Sequence, residues 1–272
     1  MKNVMVANRQ SGGRYGPENI DILLKAQIEN SIECGWSPKD ILLISNFKFQ
    51  FMGVKAYKAQ LNDFCLTGSK LFGLKWALDK GLFNPGDVIW THDLDAWQNC
   101  WFDPPKFKDV GISTYSKPKF NGGSIFWRPE SRYILESVLK EIEKGAMREE
   151  PTLNVLLNQP EFRCRVTVLN NTYNVGCSGF VKRAERATLP IRVCHMNPLN
   201  RIAWDTHTQD RNKVGIVSVG LRLERLLRRY YPNLATEPLP RKEKRRKGNG
   251  TQVVKKKRSG AAVALGSPYP YL

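Results

Sequence analysis

The stretch VIWTHDLD, residues 88–95, decides the fold because it joins a short apolar run directly to two carboxylates. Residues 88–90 predict a strand that is buried on both faces. Ligands of open α/β sheets bind just beyond the carboxyl ends of the strands, so chemistry is expected at Asp93 and Asp95. Two carboxylates one residue apart can share Mg²⁺ or Mn²⁺ with phosphate oxygens. The alternative interpretation is a structural turn that Asp-Leu-Asp merely caps.

The segments before this stretch alternate between strand and helix patterns. Apolar runs at residues 4–7 and 41–44 predict strands, and apolar residues recur at helical spacing in 17–33 and 69–80. Such alternation is typical of an α/β fold with a mainly parallel, doubly wound central sheet and helices on both faces.

The segments after it are less regular. Strands are predicted at 110–115, 124–127 and 165–169, and helices at 131–144 and 152–157, with a basic amphipathic helix inside 214–231. From about residue 236 onward proline, lysine and glycine dominate and the periodicity is lost. We therefore expect one folded domain at 1–235 and a disordered basic tail at 236–272.

The chain is strongly basic, with a net charge of +18, and half of that excess lies in residues 241–258. Both the body and the tail therefore point to polyanionic partners. No apolar run approaches the roughly 20 residues that span a bilayer, and the apolar start is too short for a signal peptide. The six cysteines are scattered and predict no disulfide framework. We expect a protein of the cytosol.

Four motifs, taken in order, resemble those of glycosyltransferases with the GT-A (Rossmann-like) fold. Residues 86–95 resemble the strand and DxD motif of that family, and FNGGSIFWRP at 120–129 is similar to its Asn-Gly-Gly strand. EEPTLN at 149–154 resembles the acidic helix start, and CHMNP at 194–198 supplies a late histidine. The resemblance covers residues 1–200 and implies transfer of a sugar from a nucleotide-diphosphate donor, with a UDP-sugar expected.

The resemblance also implies a metal site for Mn²⁺ or Mg²⁺. Asp93 would contact the ribose, or the metal through water, and Asp95 would ligate the metal directly. His195 would be the third ligand, with His207 as its rival. Such an ion neutralises the charge that develops on a diphosphate leaving group.

Further residues acquire roles from the same resemblance. Asn121, Gly122 and Gly123 would line the sugar pocket, where glycines allow a close approach of the backbone. Asn8, Arg9 and the loop at 11–13 would hold the nucleoside or its phosphates. The loop at 11–13 lacks the GxGxxG pattern and is therefore no dinucleotide-binding fingerprint.

Glu149 and Glu150 are the candidates for the carboxylate that approaches the acceptor hydroxyl. In an inverting reaction one of them is the general base, and in a retaining reaction it positions the sugar. The family often carries Asp-Gln here, so the sequence does not choose between the two glutamates. The alternative is a pair of helix-start acids that the helix dipole favours.

The basic tail suggests an acceptor. Its clustered cations would either bind DNA phosphates or simply stay solvated. They are Lys244, Arg245, Arg246, Lys255, Lys256 and Lys257. The small size and basic body resemble bacteriophage enzymes that glycosylate hydroxymethylated pyrimidines in DNA, which act in the host cytoplasm. Two alternatives stay open, a nucleic-acid-binding protein with a structural DLD turn and a sugar nucleotidyltransferase.

Overall fold

The computed structural model describes residues 1–9, 17–61, 69–116, 119–145, 148–176, 179–208 and 217–235. All of them lie in one compact unit, Met1–Pro238. The predicted tail at 236–272 lies outside the described residues, and so does the loop at 11–13. The same holds for the six basic residues predicted to contact DNA, which are Lys244, Arg245, Arg246, Lys255, Lys256 and Lys257.

Helices and strands alternate through the first half of the chain, as the sequence predicts. The strands are β1 (Lys2–Ala7), β2 (Ile41–Ser45), β3 (Gln50–Phe51), β4 (Val54–Lys55), β5 (Tyr57–Lys58), β6 (Ile89–His92), β7 (Ala96–Gln98), β8 (Val110–Ser116), β9 (Lys119–Trp127), β10 (Val166–Leu169), β11 (Val175–Gly176) and β12 (Val193–His195). The described α-helices are α1 (Pro17–Glu33), α2 (Ser69–Asp79), α3 (Arg132–Glu143), α4 (Glu149–Leu156), α5 (Pro160–Arg163), α6 (Phe180–Glu185), α7 (Arg201–Thr208) and α8 (Leu221–Tyr230).

The central sheet has the strand order β10-β8-β9-β6-β1-β2-β5. Strand β1 runs parallel to both β2 and β6, and the pairs β2–β5 and β8–β10 are parallel as well. Strand β9 runs antiparallel to both of its neighbours, β6 and β8. The prediction of a mainly parallel α/β sheet is therefore confirmed. A smaller sheet, in the order β11-β12-β7, stands beside it.

Helices cover both faces of the central sheet. Val4 and Val6 of β1 point into a core that includes residues of α2, α3 and α4. Met5 and Ala7 point the other way, into a core that includes residues of α1. Gly73 lets helix α2 lie close to β1. A Cβ atom at that position would stand 2.6 Å from Cγ2 of Val6.

The basic helix α8 packs its apolar face against α1, while Arg225 and Arg229 stay exposed. Its leucines at 223, 226 and 227 are buried. Arg222 lies 2.8 Å from Glu33, Arg228 lies 2.7 Å from Glu224 on its own helix, and Arg229 pairs with Glu29. These arginines are therefore already paired with carboxylates. None of the helices in the described ranges has the length and apolar character needed to cross a membrane.

Candidate active site

The turn after β6 is held by hydrogen bonds from three directions. The N–H of Asp93 donates to the carbonyl of Gly123 at 2.9 Å, and the N–H of Ala96 donates to the carbonyl of Asp93 at 2.9 Å. From α1, the buried amide of Gln27 donates to the carbonyls of Leu94 at 2.7 Å and Ala96 at 3.0 Å. The two carboxylates of the DLD motif therefore start from a fixed backbone.

Strand β12 brings the late histidine to this turn. It pairs antiparallel with β7, so that His195 stands opposite Ala96. The Nε2 atom of His195 lies 3.1 Å from Oδ1 of Asp95 and 3.5 Å from Oδ2 of Asp93. One ligand atom from each of these three side chains lies within 4.8 Å of the others. Two carboxylates and an imidazole form a donor set that suits Mn²⁺ and can accept Mg²⁺.

The three side chains differ in exposure. Asp95 is 7% exposed and His195 is 18% exposed, whereas Asp93 is 40% exposed and faces the cleft. Burial opposes the charged form of His195, but the neighbouring Asp95 outweighs it and raises the pKa of the imidazole. The carboxylates thus attract a proton to the position that a divalent cation would occupy.

His207, the rival ligand, lies elsewhere. It is fully buried, its ring meets the ring of Phe180 at 5.1 Å, and its Nδ1 atom is hydrogen-bonded to the hydroxyl of Ser218. Burial lowers its pKa to about 3, which makes it a neutral core histidine. In the part of the chain that the structure describes, the group that can share a metal ion contains His195.

The Asn-Gly-Gly motif makes room for side chains of the site. A Cβ atom on Gly123 would stand 2.1 Å from Nδ1 of His195, and one on Gly122 would stand 3.0 Å from Oε1 of Glu149. The buried Asn121 accepts the N–H of Gly123 at 2.9 Å and so fixes the strand locally. The structure shows that these glycines admit the imidazole and a carboxylate, whereas their place in a sugar pocket stays a prediction.

A buried lysine, which the sequence analysis missed, connects the parts of the site. Lys70 of α2 lies 2.7 Å from Oδ1 of Asp93 and 3.0 Å from Oε1 of Glu149, and it donates to the carbonyl of Gly122. Burial opposes its charge, but the two carboxylates outweigh burial and raise the pKa of Lys70. One sequence signal could have identified it: a cation in the first turn of a helix opposes the helix dipole and needs a reason.

The two glutamates at the start of α4 have different surroundings. Glu149 is buried against Lys70, and burial holds the pKa of its carboxyl above the ordinary value although Lys70 acts to lower it. Glu150 is only partly buried, and its Oε2 atom accepts the N–H of Gly122 at 3.3 Å and the hydroxyl of Tyr115 at 3.2 Å. Glu150 is therefore the more accessible of the two carboxylates.

Helix α4 is tied to β9 by one amide side chain. Asn154 accepts the N–H of Phe120 and donates to its carbonyl at 3.1 Å, much as a neighbouring strand would. These two hydrogen bonds give the asparagine of the EEPTLN segment a structural role. They fix the glutamates relative to the Asn-Gly-Gly strand.

Asn8 and Arg9 lie at the carboxyl end of β1, on the same sheet edge. The amide of Asn8 donates to the hydroxyl of Ser69 at 3.2 Å. Arg9 is paired with Asp21, and its guanidinium lies 3.9 Å above the ring of Phe47. The structure thus gives Arg9 a carboxylate partner within the protein itself.

Asp93, Asp95 and His195 together are called the metal group below. Two clefts open beside it, each of about 210 Å³. Asp95 and His195 line the first, together with Tyr115, Asn121 and Arg183. The second is lined by Asp93, Gly122, Gly123, Glu149 and Glu150. A metal ion at the group would therefore have space for ligands on two sides.

The sequence matches no protein-family model and no curated protein. The fold is similar to two solved structures of the galactosyltransferase LgtC. One is a complex with donor and acceptor sugar analogs, with a TM-score of 0.52 and 15% identity over 88% of this chain and 98% of that chain. The other is an active-site mutant, with a TM-score of 0.50 and 12% identity over the same shares of both chains. This likeness confirms the GT-A fold predicted from the motifs.

Proposed function

We propose that this protein is a metal-dependent glycosyltransferase that moves a sugar, with a hexose expected, from a nucleotide-diphosphate donor to a hydroxyl acceptor. The observation that carries the proposal is the group formed by Asp93, Asp95 and His195 at the carboxyl end of β6, with an accessible glutamate in the adjoining cleft. The GT-A fold supports the same interpretation, because ligands of such sheets bind at this edge.

Asp95 and His195 would hold Mn²⁺ or Mg²⁺, with Asp93 completing the set or reaching the donor ribose. The bound ion supplies electrostatic stabilisation of the departing diphosphate. Lys70 keeps Asp93 oriented, and the backbone at Gly122 and Gly123 gives the sugar a close approach. These contacts bind and align the donor.

Glu150 is the residue that we assign to the acceptor. In an inverting transfer its carboxylate takes the proton from the acceptor hydroxyl as the new glycosidic bond forms and the bond to the diphosphate breaks. The hydroxyl of Tyr115 and the N–H of Gly122 orient that carboxylate. Glu149, engaged by Lys70, has a positioning role.

The acceptor prediction is a hydroxymethylated pyrimidine in DNA, and it rests on the net charge of +18 and on the tail. The analogs in the LgtC complex are those of a donor and an acceptor sugar, so a saccharide is the competing acceptor. The nucleic-acid-binding alternative relied on the basic helix. It is less favoured, since three of the four arginines of that helix, at 222, 228 and 229, are paired with carboxylates.

The donor is tested with a panel of sugar nucleotides in the presence of Mn²⁺, read by thermal stabilisation and by release of nucleoside diphosphate. Glu150→Gln should lower turnover by about 10²- to 10⁴-fold with donor binding kept. Asp95→Asn should abolish the stimulation of sugar transfer by Mn²⁺. Glu136→Gln, on the exposed face of α3, is the matched control. The enzyme proposal fails if no sugar nucleotide stabilises the protein, or if Asp95→Asn transfers sugar at the wild-type rate.

Acceptors are compared by mass spectrometry, with modified DNA digested to nucleosides in one arm and free saccharides in the other. A sugar adduct on the modified nucleoside supports the DNA acceptor. Transfer to saccharides alone rejects it.

A further inference from the structure

Arg183 is a buried cation that none of the roles above uses. It lies on α6, is 1% exposed, and lines the first cleft together with Asp95 and His195. Its guanidinium carbon stands 4.3 Å above the ring of Tyr115, the same side chain whose hydroxyl contacts Glu150. The cation therefore shares a cleft with two of the candidate metal ligands and packs on the tyrosine that contacts Glu150.

The backbone is shaped to admit this side chain. A Cβ atom on Gly176 would stand 2.3 Å from Nη1 of Arg183, so any larger residue at 176 would displace the guanidinium. Helix α6 begins directly after Gly179, whose φ of 64° lets the chain turn into the helix. Two glycines thus determine where the guanidinium lies.

The chemistry of this position favours an oxyanion. An arginine stays charged in proteins, and its planar fork matches the oxygens of a phosphate or carboxylate. Stacking on the ring of Tyr115 fixes the plane of the fork. Asn121, Asn197 and Asn200 also line the cleft and could add neutral hydrogen-bonding groups.

We propose that Arg183 binds an oxyanion of the substrate in the cleft beside the metal group. The identity of that substrate rests on the proposed function. Two sources carry the same chemistry, the diphosphate of the nucleotide donor and an acidic group on the acceptor. In either case the oxyanion would lie in the cleft that Arg183 lines together with the candidate metal ligands Asp95 and His195.

The test measures binding to the full chain by calorimetry in the presence of Mg²⁺. Inorganic pyrophosphate is the first probe, since it presents the oxyanion without any nucleoside. Arg183→Gln should weaken its binding at least about tenfold, the effect of losing one charge-assisted contact. Gly176→Ala keeps the charge but displaces the guanidinium, and it should weaken binding as well. Lys182→Gln, on the same helix and exposed, is the matched control and should bind like the wild type.

Two further arms distinguish the sources. If the donor supplies the oxyanion, Arg183→Gln weakens the binding of a nucleoside diphosphate. The affinities for the nucleoside monophosphate and the nucleoside stay unchanged. If the acceptor supplies it, the nucleotides bind normally and KM rises for an acidic acceptor but not for a neutral one. The proposal is overturned if the wild type does not bind pyrophosphate. It is also overturned if a folded Arg183→Gln protein binds pyrophosphate as tightly as the wild type does. Failure of the proposed function is read separately, as no hydrolysis or transfer of any sugar nucleotide by the wild type.

Discussion

Replacing Lys70 by methionine tests the ion pairs that organise the site. Methionine keeps most of the length of the side chain and removes its charge, which leaves Glu149 buried without the cation that stood 3.0 Å away. Breaking a buried pair by removing one partner costs about 3–5 kcal/mol. The contact with Asp93 adds little to that cost, because the Asp93 side chain is 40% exposed. We therefore expect the free energy of unfolding to fall by about 3–5 kcal/mol near pH 8.

The loss should shrink as the pH falls. Burial raises the pKa of Glu149, and the absence of Lys70 raises it further. A carboxyl with a raised folded pKa adds stability below its unfolded pKa and loses that contribution as the pH rises through the folded value. Near pH 5 the carboxyl in the variant is neutral and needs no cation, so the variant regains stability relative to the wild type.

Urea unfolding in EDTA, followed by tryptophan fluorescence near pH 8 and near pH 5, measures both effects. Lys70→Met combined with Glu149→Gln should cost about 2 kcal/mol less than the two single changes added together, since neither charge is left. Lys75→Met, on the same helix with a surface partner at 2.8 Å, should cost less than about 1 kcal/mol. Additive costs, or an equal loss at both pH values, would refute the reasoning.

Three other predictions concern packing and the metal group. Gly123→Ala should displace His195 and so weaken Mn²⁺ binding at least about tenfold in calorimetry, which corresponds to about 1.4 kcal/mol or more. Gly220→Ala is the control: a Cβ atom there has ordinary clearance, so Mn²⁺ binding should not change. In the wild type, Mn²⁺ affinity should rise with pH through the raised pKa of His195, because the metal needs the neutral imidazole; His195→Asn should flatten that dependence. Gly73→Ala should destabilise the fold by about 1–3 kcal/mol in thermal unfolding through overpacking against Val6, and Val6→Ala in the same chain should recover part of the loss.

The sequence predicted those elements whose signals are local. Helix α1 has the predicted limits, Pro17–Glu33, because a first-turn proline and a long apolar stripe define it. Strand β6 was expected at 88–90 and occupies Ile89–His92. Its short apolar run cannot form an amphipathic helix of useful length, and the acidic turn ends it. Elements of this kind need no knowledge of distant residues.

Strand β9 shows what a local pattern misses. The sequence predicted a strand at 124–127, but the strand extends over Lys119–Trp127. Asn and Gly have low strand propensity, so the residues before 124 resembled a turn. Pairing of Lys119 and Phe120 with β8 extends the strand in spite of that propensity. The true gap to β8 is short enough for a hairpin, which explains why β9 runs antiparallel in a mainly parallel sheet.

The site was predicted as a set of motifs, while the connections between them could not be predicted. The carboxylates of the DLD turn and His195 lie together as the resemblance implied. Lys70, Gln27 and Arg183 carry no motif, and a single Lys or Arg is inconspicuous among 43 such residues. Only the folded chain shows which cation is buried against which carboxylate.

The pairing of β7 with β12 also has a consequence for the timing of synthesis. His195 follows Asp95 by 100 residues, so the acidic turn leaves the ribosome long before the imidazole exists. A nascent chain that is stalled before residue 193 would carry both carboxylates and still lack the third ligand. Tight binding of a divalent ion would therefore begin only when β12 docks, late in translation. Metal affinity measured on stalled chains of increasing length should rise in one step at that point.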